Sequence, residues 1–310
     1  MPRARSATAA IDPDVAPADA RIAAVETVHL SDGRVLCARR WSAAGPETVV
    51  FLHGLLDSSE GWSSVCEAIG PSAIAFDLPG FGYSDPPAEG SIAAYARDIA
   101  EGLALLGVGR FTLVGHSLGG AIATALAEMM PAKVRSLALF APAGFGRIHL
   151  AEAVSVPGVR EVVQAALPFA LSSRLAVTAG YLTMVTSGRR PDPALVERVT
   201  TRGARLVEGA REGTRAVVNA GRSADAFHRR RVRYGGPVFA VWGDRDRLVP
   251  VSHREGLRIA FPNATIDVWP GMGHHPTRER FDELLACVER AAAAAGTDSR
   301  PRQRRRAAAV

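Results

Sequence analysis

Residues 111 to 130, FTLVGHSLGGAIATALAEMM, hold a serine in a setting suited to attack on an acyl carbon. A short apolar run leads into Gly115-His116-Ser117-Leu118-Gly119, and a helix of small apolar residues follows. That succession predicts a strand over Phe111 to Val114, a sharp turn carrying Ser117, and a helix over Leu118 to Met130. A serine at such a turn sits in strained backbone, and glycines two residues to either side keep neighbouring chain from colliding with it. Just behind it, the first amides of the helix aim their N–H groups and the positive end of its dipole at any negative oxygen that forms.

Such a hydroxyl is a poor nucleophile near neutral pH. It needs a base within hydrogen-bond reach, and the base needs a carboxylate to fix its tautomer and stabilise its protonated form. Eight histidines are available. His29 lies in a strand-like stretch, His149, His228 and His253 fall in helices or surface turns, and His116 reads as packing or polar support within the turn itself. His274 and His275 both follow the turn Gly271-Met272-Gly273, directly after the strand-like Thr265 to Trp269. From there a side chain can cross to a neighbouring strand's end. For the acid, Asp244 and Asp246 flank Arg245 after the apolar run Val238 to Trp242.

Four segments in order resemble the α/β-hydrolase superfamily, and in particular its lid-bearing serine hydrolases. They are FLHGLLDSSEGW at 51 to 62, FDLPGFGYSD at 76 to 85, the GHSLGG turn, and the pair WGDRDRLVP at 242 to 250 with GMGHHPTRER at 271 to 280. The resemblance runs from about residue 25 to residue 290. It implies a nucleophile, acid, histidine order met by Ser117, Asp246 and His274. In the family pattern the acid is followed by two residues and then Val-Pro, here Val249-Pro250, and the base directly follows the last glycine. Asp244 then reads as a turn-former. Oxyanion donors are implied at the backbone amides of Leu118 and Leu55, with the side chains of Leu55 and Leu56 left free to line an acyl pocket. Asp77 is implied to serve a structural loop; its neighbour Tyr83 is a candidate for the pocket edge.

A serine at position 117 argues against relatives that open epoxides or displace halide through an aspartate. What remains is hydrolysis of a carboxylic ester, thioester or lactone through an acyl-enzyme, with carbon–carbon hydrolysis or acyl transfer on the same scaffold as alternatives. A ligand-binding protein without turnover is a further alternative, against which the full set of catalytic residues argues.

The resemblance implies an α/β fold with a mostly parallel, doubly wound sheet and an inserted helical lid, and the apolar pattern agrees. Strand-like runs at Val49 to Leu52, Ala73 to Phe76, Phe111 to Val114, Leu137 to Phe140, Val238 to Trp242 and Thr265 to Trp269 alternate with helical stretches at Tyr95 to Leu106, Leu118 to Met130 and Phe281 to Ala295. Glu26 to His29 and Val35 to Trp41, joined at Asp32-Gly33, read as an antiparallel hairpin at the sheet edge. Some ninety residues between the fourth and fifth of those runs are too many for a simple crossover. They form the expected lid, broken at Pro157-Gly158, Pro168, Gly188 and Pro191 to Pro193. Leu167, Phe169, Leu171, Tyr181, Leu182 and Met184 are its candidates for an apolar face toward the site, though each is equally well read as packing. The expected division is a disordered arm over 1–24, a core over 25–144 and 234–296, a lid over 145–233 and a basic disordered tail over 297–310.

With 310 residues, 47% of them hydrophobic and 22% charged, the chain can bury one large core. A net charge of +6 invites a nucleic-acid reading, but Arg300, Arg302, Arg304, Arg305 and Arg306 lie in the tail, where such runs are solvated. No specific nucleic-acid partner is expected; the partner is a small acyl substrate with apolar character. No metal cluster, phosphate-binding loop or dinucleotide fingerprint is evident, so no cofactor is expected. The first two dozen residues lack a continuous apolar segment, so neither a secretory signal nor a membrane span is expected. Cys37, Cys66 and Cys287 are an odd number without metal-ligand spacing, which points to free thiols in a reducing cytoplasm. Lys133 is the single lysine among 37 basic residues, a bias associated with high-GC bacterial genomes.

Overall fold

Strands with buried side chains on both faces build one eight-stranded sheet. The computed structural model describes residues 23–149, 152, 156–186, 188–209, 227 and 229–294. The tail expected over 297–310 lies outside the described residues, as do His228 and all of the expected arm except residues 23 and 24. In chain order the elements are β1 (Ala24–His29), β2 (Val35–Trp41), β3 (Thr48–Leu52), α1 (Ser63–Ala68), β4 (Ser72–Phe76), α2 (Ile92–Leu105), β5 (Phe111–His116), α3 (Leu118–Met129) and β6 (Val134–Phe140). There follow α4 (Val159–Ser172), α5 (Arg174–Gly180), a π-helical turn (Tyr181–Val185), α6 (Pro193–Gly209), β7 (Val238–Gly243), α7 (Arg254–Ala260), β8 (Thr265–Trp269), α8 (Pro276–Glu279) and α9 (Phe281–Ala294).

The strand order is β1-β2-β4-β3-β5-β6-β7-β8. β1 pairs antiparallel with β2 and β2 with β4, while every pair from β4 to β8 is parallel. The hairpin and the six apolar runs of the sequence are therefore the eight strands. Because successive side chains leave a strand on opposite faces, Val50, Leu52, Ile74, Phe76, Leu113, Leu139 and Trp242 pack on one side with α2 and α3. On the other side Val49, Phe51, Ala73, Ala75, Val114, Phe140 and Val241 meet α1 and α9. Burial on both faces explains why these strands read as unbroken apolar runs rather than alternating ones.

α2 starts three residues earlier than the apolar pattern implies, because the Ser91 hydroxyl caps it by accepting from the Ala94 N–H. Between β6 and β7 the chain leaves the sheet for a helical insertion. α4 and α5 pack with α6 around a small core of their own, Leu171, Val177, Leu195, Val196 and Val199. The break expected at Pro168 is absent: α4 runs through it with the proline ring buried. Pro168 removes one main-chain donor from the helix, and its carbonyl accepts from the Ser172 hydroxyl at 2.8 Å.

Candidate active site

The carboxyl ends of β3, β5, β7 and β8 deliver the candidate residues to one edge of the sheet. Ser117 sits between the end of β5 and the first residue of α3, with φ 52° and ψ −116°. This is positive-φ backbone for a residue with a Cβ, a conformation that costs on the order of 1–3 kcal/mol and persists only where surroundings enforce it. They do so here. Ser117 N–H donates to the Phe140 carbonyl at 3.0 Å, and the Ser117 carbonyl accepts from Gly120 and Ala143, each at 3.0 Å. The two flanking glycines are dictated by space. A Cβ on Gly115 would lie 2.5 Å from the Gly119 oxygen, and one on Gly119 would lie 2.3 Å from the Leu52 oxygen.

After β7, the Asp246 carboxylate is fully buried. Its Oδ1 accepts the Leu248 and Val249 amides, both at 2.9 Å, which fixes the carboxylate's orientation. Its Oδ2 accepts from His274 Nδ1 at 2.7 Å. With Nδ1 committed as donor to the carboxylate, Nε2 of His274 is the nitrogen left to take a proton. Asp244 stands apart: it is exposed and accepts the Gly271 amide at 2.7 Å, closing the turn before the histidines. Of the two carboxylates and two histidines left open by the residues alone, Asp246 and His274 are the pair brought together.

His275 takes a different set of contacts. Its Nδ1 lies 2.8 Å from the Thr277 hydroxyl, and its Nε2 is 3.8 Å from Asp57 Oδ2, beyond hydrogen-bond range. Burial pushes its pKa down to about 4, with Asp57 pulling the other way. His116 lies between the two imidazoles, its ring centroid 4.9 Å from that of His274 and 5.1 Å from that of His275. Its Nε2 donates to the His274 carbonyl at 2.7 Å. Burial first, then the neighbouring His274 and His275, hold His116 well below the ordinary histidine range, so it stays neutral as a strut beside His274.

The loop after β3 closes the site from the other side. His53 is buried, its Nε2 accepting from the Leu78 amide at 2.9 Å and its Nδ1 donating to the Gly54 carbonyl at 2.7 Å. Gly54 presses on the elbow so closely that a Cβ there would meet His116 Nδ1 at 3.0 Å and Ser117 Cβ at 3.3 Å. Leu55 follows, 36% exposed, and then Leu56 with φ 61°. Among the described residues the Leu55 and Leu118 amides donate to no acceptor. Two main-chain donors thus remain uncommitted at the ends of β3 and β5. Asp77 is occupied elsewhere: its carboxylate accepts from the Ser59 amide at 2.8 Å and the Tyr83 amide at 3.0 Å, tying two loops together. Tyr83 itself is 61% exposed.

Two features carried no recognisable sequence signal, and one carried a weak one. The first is the His116 bond to the His274 carbonyl. The second is the contact of the insertion with His274, whose amide donates to the Val185 carbonyl of the π-helical turn at 2.7 Å. The weak signal is the glutamate of GMGHHPTRER: Glu279 accepts from the Gly273 amide at 2.9 Å and the His275 amide at 3.2 Å, shaping the loop. Among the described residues no hydrogen bond joins the Ser117 hydroxyl to His274. Of the insertion residues considered for the pocket, Leu171 is buried, Leu167, Tyr181 and Leu182 are half-buried, and Phe169 is 68% exposed; the Met184 side chain lies outside the description. No group of three or more metal-ligating side chains occurs among the described residues.

A family model described as alpha/beta hydrolase fold matches residues 47–277. The chain is 29% identical over 275 residues to a dihydrolipoyllysine-residue acetyltransferase component of an acetoin cleaving system from Cupriavidus necator, covering 86% of this chain and 69% of that one. It is 26% identical over 268 residues to a 2-hydroxy-6-oxononadienedioate/2-hydroxy-6-oxononatrienedioate hydrolase from Comamonas testosteroni, covering 82% of this chain and 87% of that one. Among solved structures, an esterase from Thermogutta terrifontis superposes with a TM-score of 0.68 at 20% identity, covering 88% of this chain and 99% of that one.

Proposed function

The chain belongs to the alpha/beta hydrolase family, and from that premise we propose that it is a serine hydrolase cleaving a carboxylic ester, or a related thioester or lactone, through an acyl-enzyme. The observation that carries this reading is the buried 2.7 Å contact of Asp246 with His274 Nδ1, on the loops beside a serine held at positive φ. Ser117 Oγ attacks the acyl carbon while His274 Nε2 takes its proton. The carbonyl oxygen becomes an oxyanion within reach of the Leu55 and Leu118 amides, and Asp246 stabilises the imidazolium. Collapse breaks the bond to the leaving group, which departs with the proton from His274. Water then gives its proton to His274, adds to the acyl-enzyme, and the second collapse returns the hydrogen to Ser117 and frees the acid. Every step uses side chains and amides of this chain, so the reaction calls for no cofactor.

In this reading the insertion over 145–233 is a lid, its π-helical turn seated against His274 and Tyr181 standing 6.4 Å from the His275 ring. The substrate is a small acyl compound of apolar character, met between Leu55 and the insertion. Cys37, Cys66 and Cys287, all buried and none in a disulfide, favour a reducing compartment and hence the cytoplasm.

A second reading, carbon–carbon bond hydrolysis, is favoured by the likeness to the Comamonas testosteroni hydrolase. A panel of p-nitrophenyl esters, thioesters, lactones and a vinylogous diketone separates them. Ester turnover that vanishes in Ser117→Ala supports the first reading. Turnover of the diketone alone gives the second, and ester turnover that survives the substitution contradicts both.

A further inference from the structure

Outside the catalytic edge, the insertion leaves an unusual amount of apolar surface in water. Val156, Val159, Val162, Phe169 and Leu175 are all exposed, Phe169 by 68% and Leu175 by 80%. In contrast, the other exposed large apolar residues are scattered singly, such as Val25 on β1, Leu105 on α2 and Ile259 on α7, as on any protein surface. Along α4 the exposed positions recur at three- and four-residue spacing, so Val159, Val162, Ala166 and Phe169 form one stripe. Exposed Leu175, Ala176 and Ala179 carry it into α5. The opposite side of α4 is already used, with Leu171 buried in the insertion's own core. From residue 162 to residue 188 the single charged residue is Arg174, its side chain 63% exposed.

Charge identifies the occupant. In the sequence, residues 145–233 hold fifteen arginines against seven acidic residues, an excess larger than the +6 of the whole chain. Arg190 is exposed there, as are Arg189, which donates to the Glu279 carbonyl, Arg147, which pairs with Glu152, and Arg174, which pairs with Glu197. A second copy applying the same face would bring like charge against like charge. An anionic bilayer surface, by contrast, meets both demands: its acyl boundary takes apolar side chains and its headgroups take guanidinium groups. With one side of α4 packed on α6, the geometry suits lying on a bilayer. No single helix among the described residues is long and apolar enough to cross one.

We propose that the exposed face of α4 and α5 docks on an anionic lipid surface, with Val162, Phe169 and Leu175 seated in the acyl boundary. Docking is read by binding rather than turnover, so it stands or falls apart from the hydrolase reading. The full chain is sedimented with vesicles of phosphatidylcholine alone and of phosphatidylcholine with phosphatidylglycerol. Wild type binds the mixed vesicles, and less so as salt rises. The triple variant Val162→Ser, Phe169→Ser, Leu175→Ser partitions about tenfold more weakly or worse, with an unchanged melting curve because all three side chains already face water. In a separate Phe169→Trp variant, indole emission shifts to the blue on the mixed vesicles. Four outcomes overturn the proposal: no binding by wild type, equal binding by the triple variant, equal binding to phosphatidylcholine alone, or a dimer in solution whose contact is lost in the triple variant without any vesicle binding.

Discussion

The elbow around Ser117 and the insertion above it are built on opposite terms. At the elbow, backbone presses on backbone: Gly119 lies against the Leu52 carbonyl, Ser117 is held at positive φ by main-chain hydrogen bonds, and the strands beneath are fully buried. In the insertion a core of five buried residues holds three helices, and one helix face is left in water. Close packing admits one arrangement, which fixes reacting groups to within tenths of an ångström. A small core with exposed apolar surface tolerates change and opens at lower cost. In the proposed reading, chemistry belongs to the rigid edge, and choice of substrate and surface to the insertion.

The contrast is sharpened first by the acid. Asp246→Asn should lower turnover by on the order of 10⁴, since the amide holds His274 in the wrong tautomer, whereas Asp244→Asn loosens only a turn and should cost less than about tenfold. Equal losses, measured as kcat/KM on one ester, would break the assignment. A second test compares two glycines by urea unfolding. Gly119→Ala puts a methyl group 2.3 Å from the Leu52 oxygen and should destabilise the protein by several kcal/mol. Gly180→Ala, at φ −59° with nothing within 4 Å, should stabilise it by about 0.5–1 kcal/mol. If both were neutral, the elbow would not be the rigid partner.

Between those two glycine effects lies a dependence on pH. His275 titrates near 4 when folded and near 6.5 when unfolded, so the unfolded chain binds more protons between these values. Stability must then fall as pH drops from about 6.5 to about 4, by on the order of 3 kcal/mol from this residue, with His116 acting in the same direction. His275→Gln should flatten that slope in unfolding midpoints taken across the window. A slope of unchanged steepness would mean that the imidazole is hydrated rather than buried.

The same division governs how much the sequence reveals. Strands β3 to β7 were legible because burial on both faces forces continuous apolar runs, and the elbow was legible because strain and close approach leave few residue types that fit. Asp246 and His274 were separated from Asp244 and His275 by a family pattern, not by residue chemistry, since either member of each pair has the right functional group. The insertion was the least legible. Pro168 marks a break by propensity but is absorbed into α4, and Phe169, a pocket candidate by its apolar character, turns to water because Leu171 takes the inner position. Helical periodicity shows that a face is apolar without showing which way it turns. Long-range contacts such as His116 to the His274 carbonyl, 158 residues apart in the chain, leave no local pattern at all.

The central claim is that one hydroxyl at the elbow is the nucleophile. Intact-mass analysis of the protein after treatment with a fluorophosphonate, followed by mapping of the labelled peptide, addresses it directly. A single adduct on Ser117 that is absent from Ser117→Ala is the expected result. No adduct on an active preparation, or an adduct on another residue that survives the substitution, would contradict it.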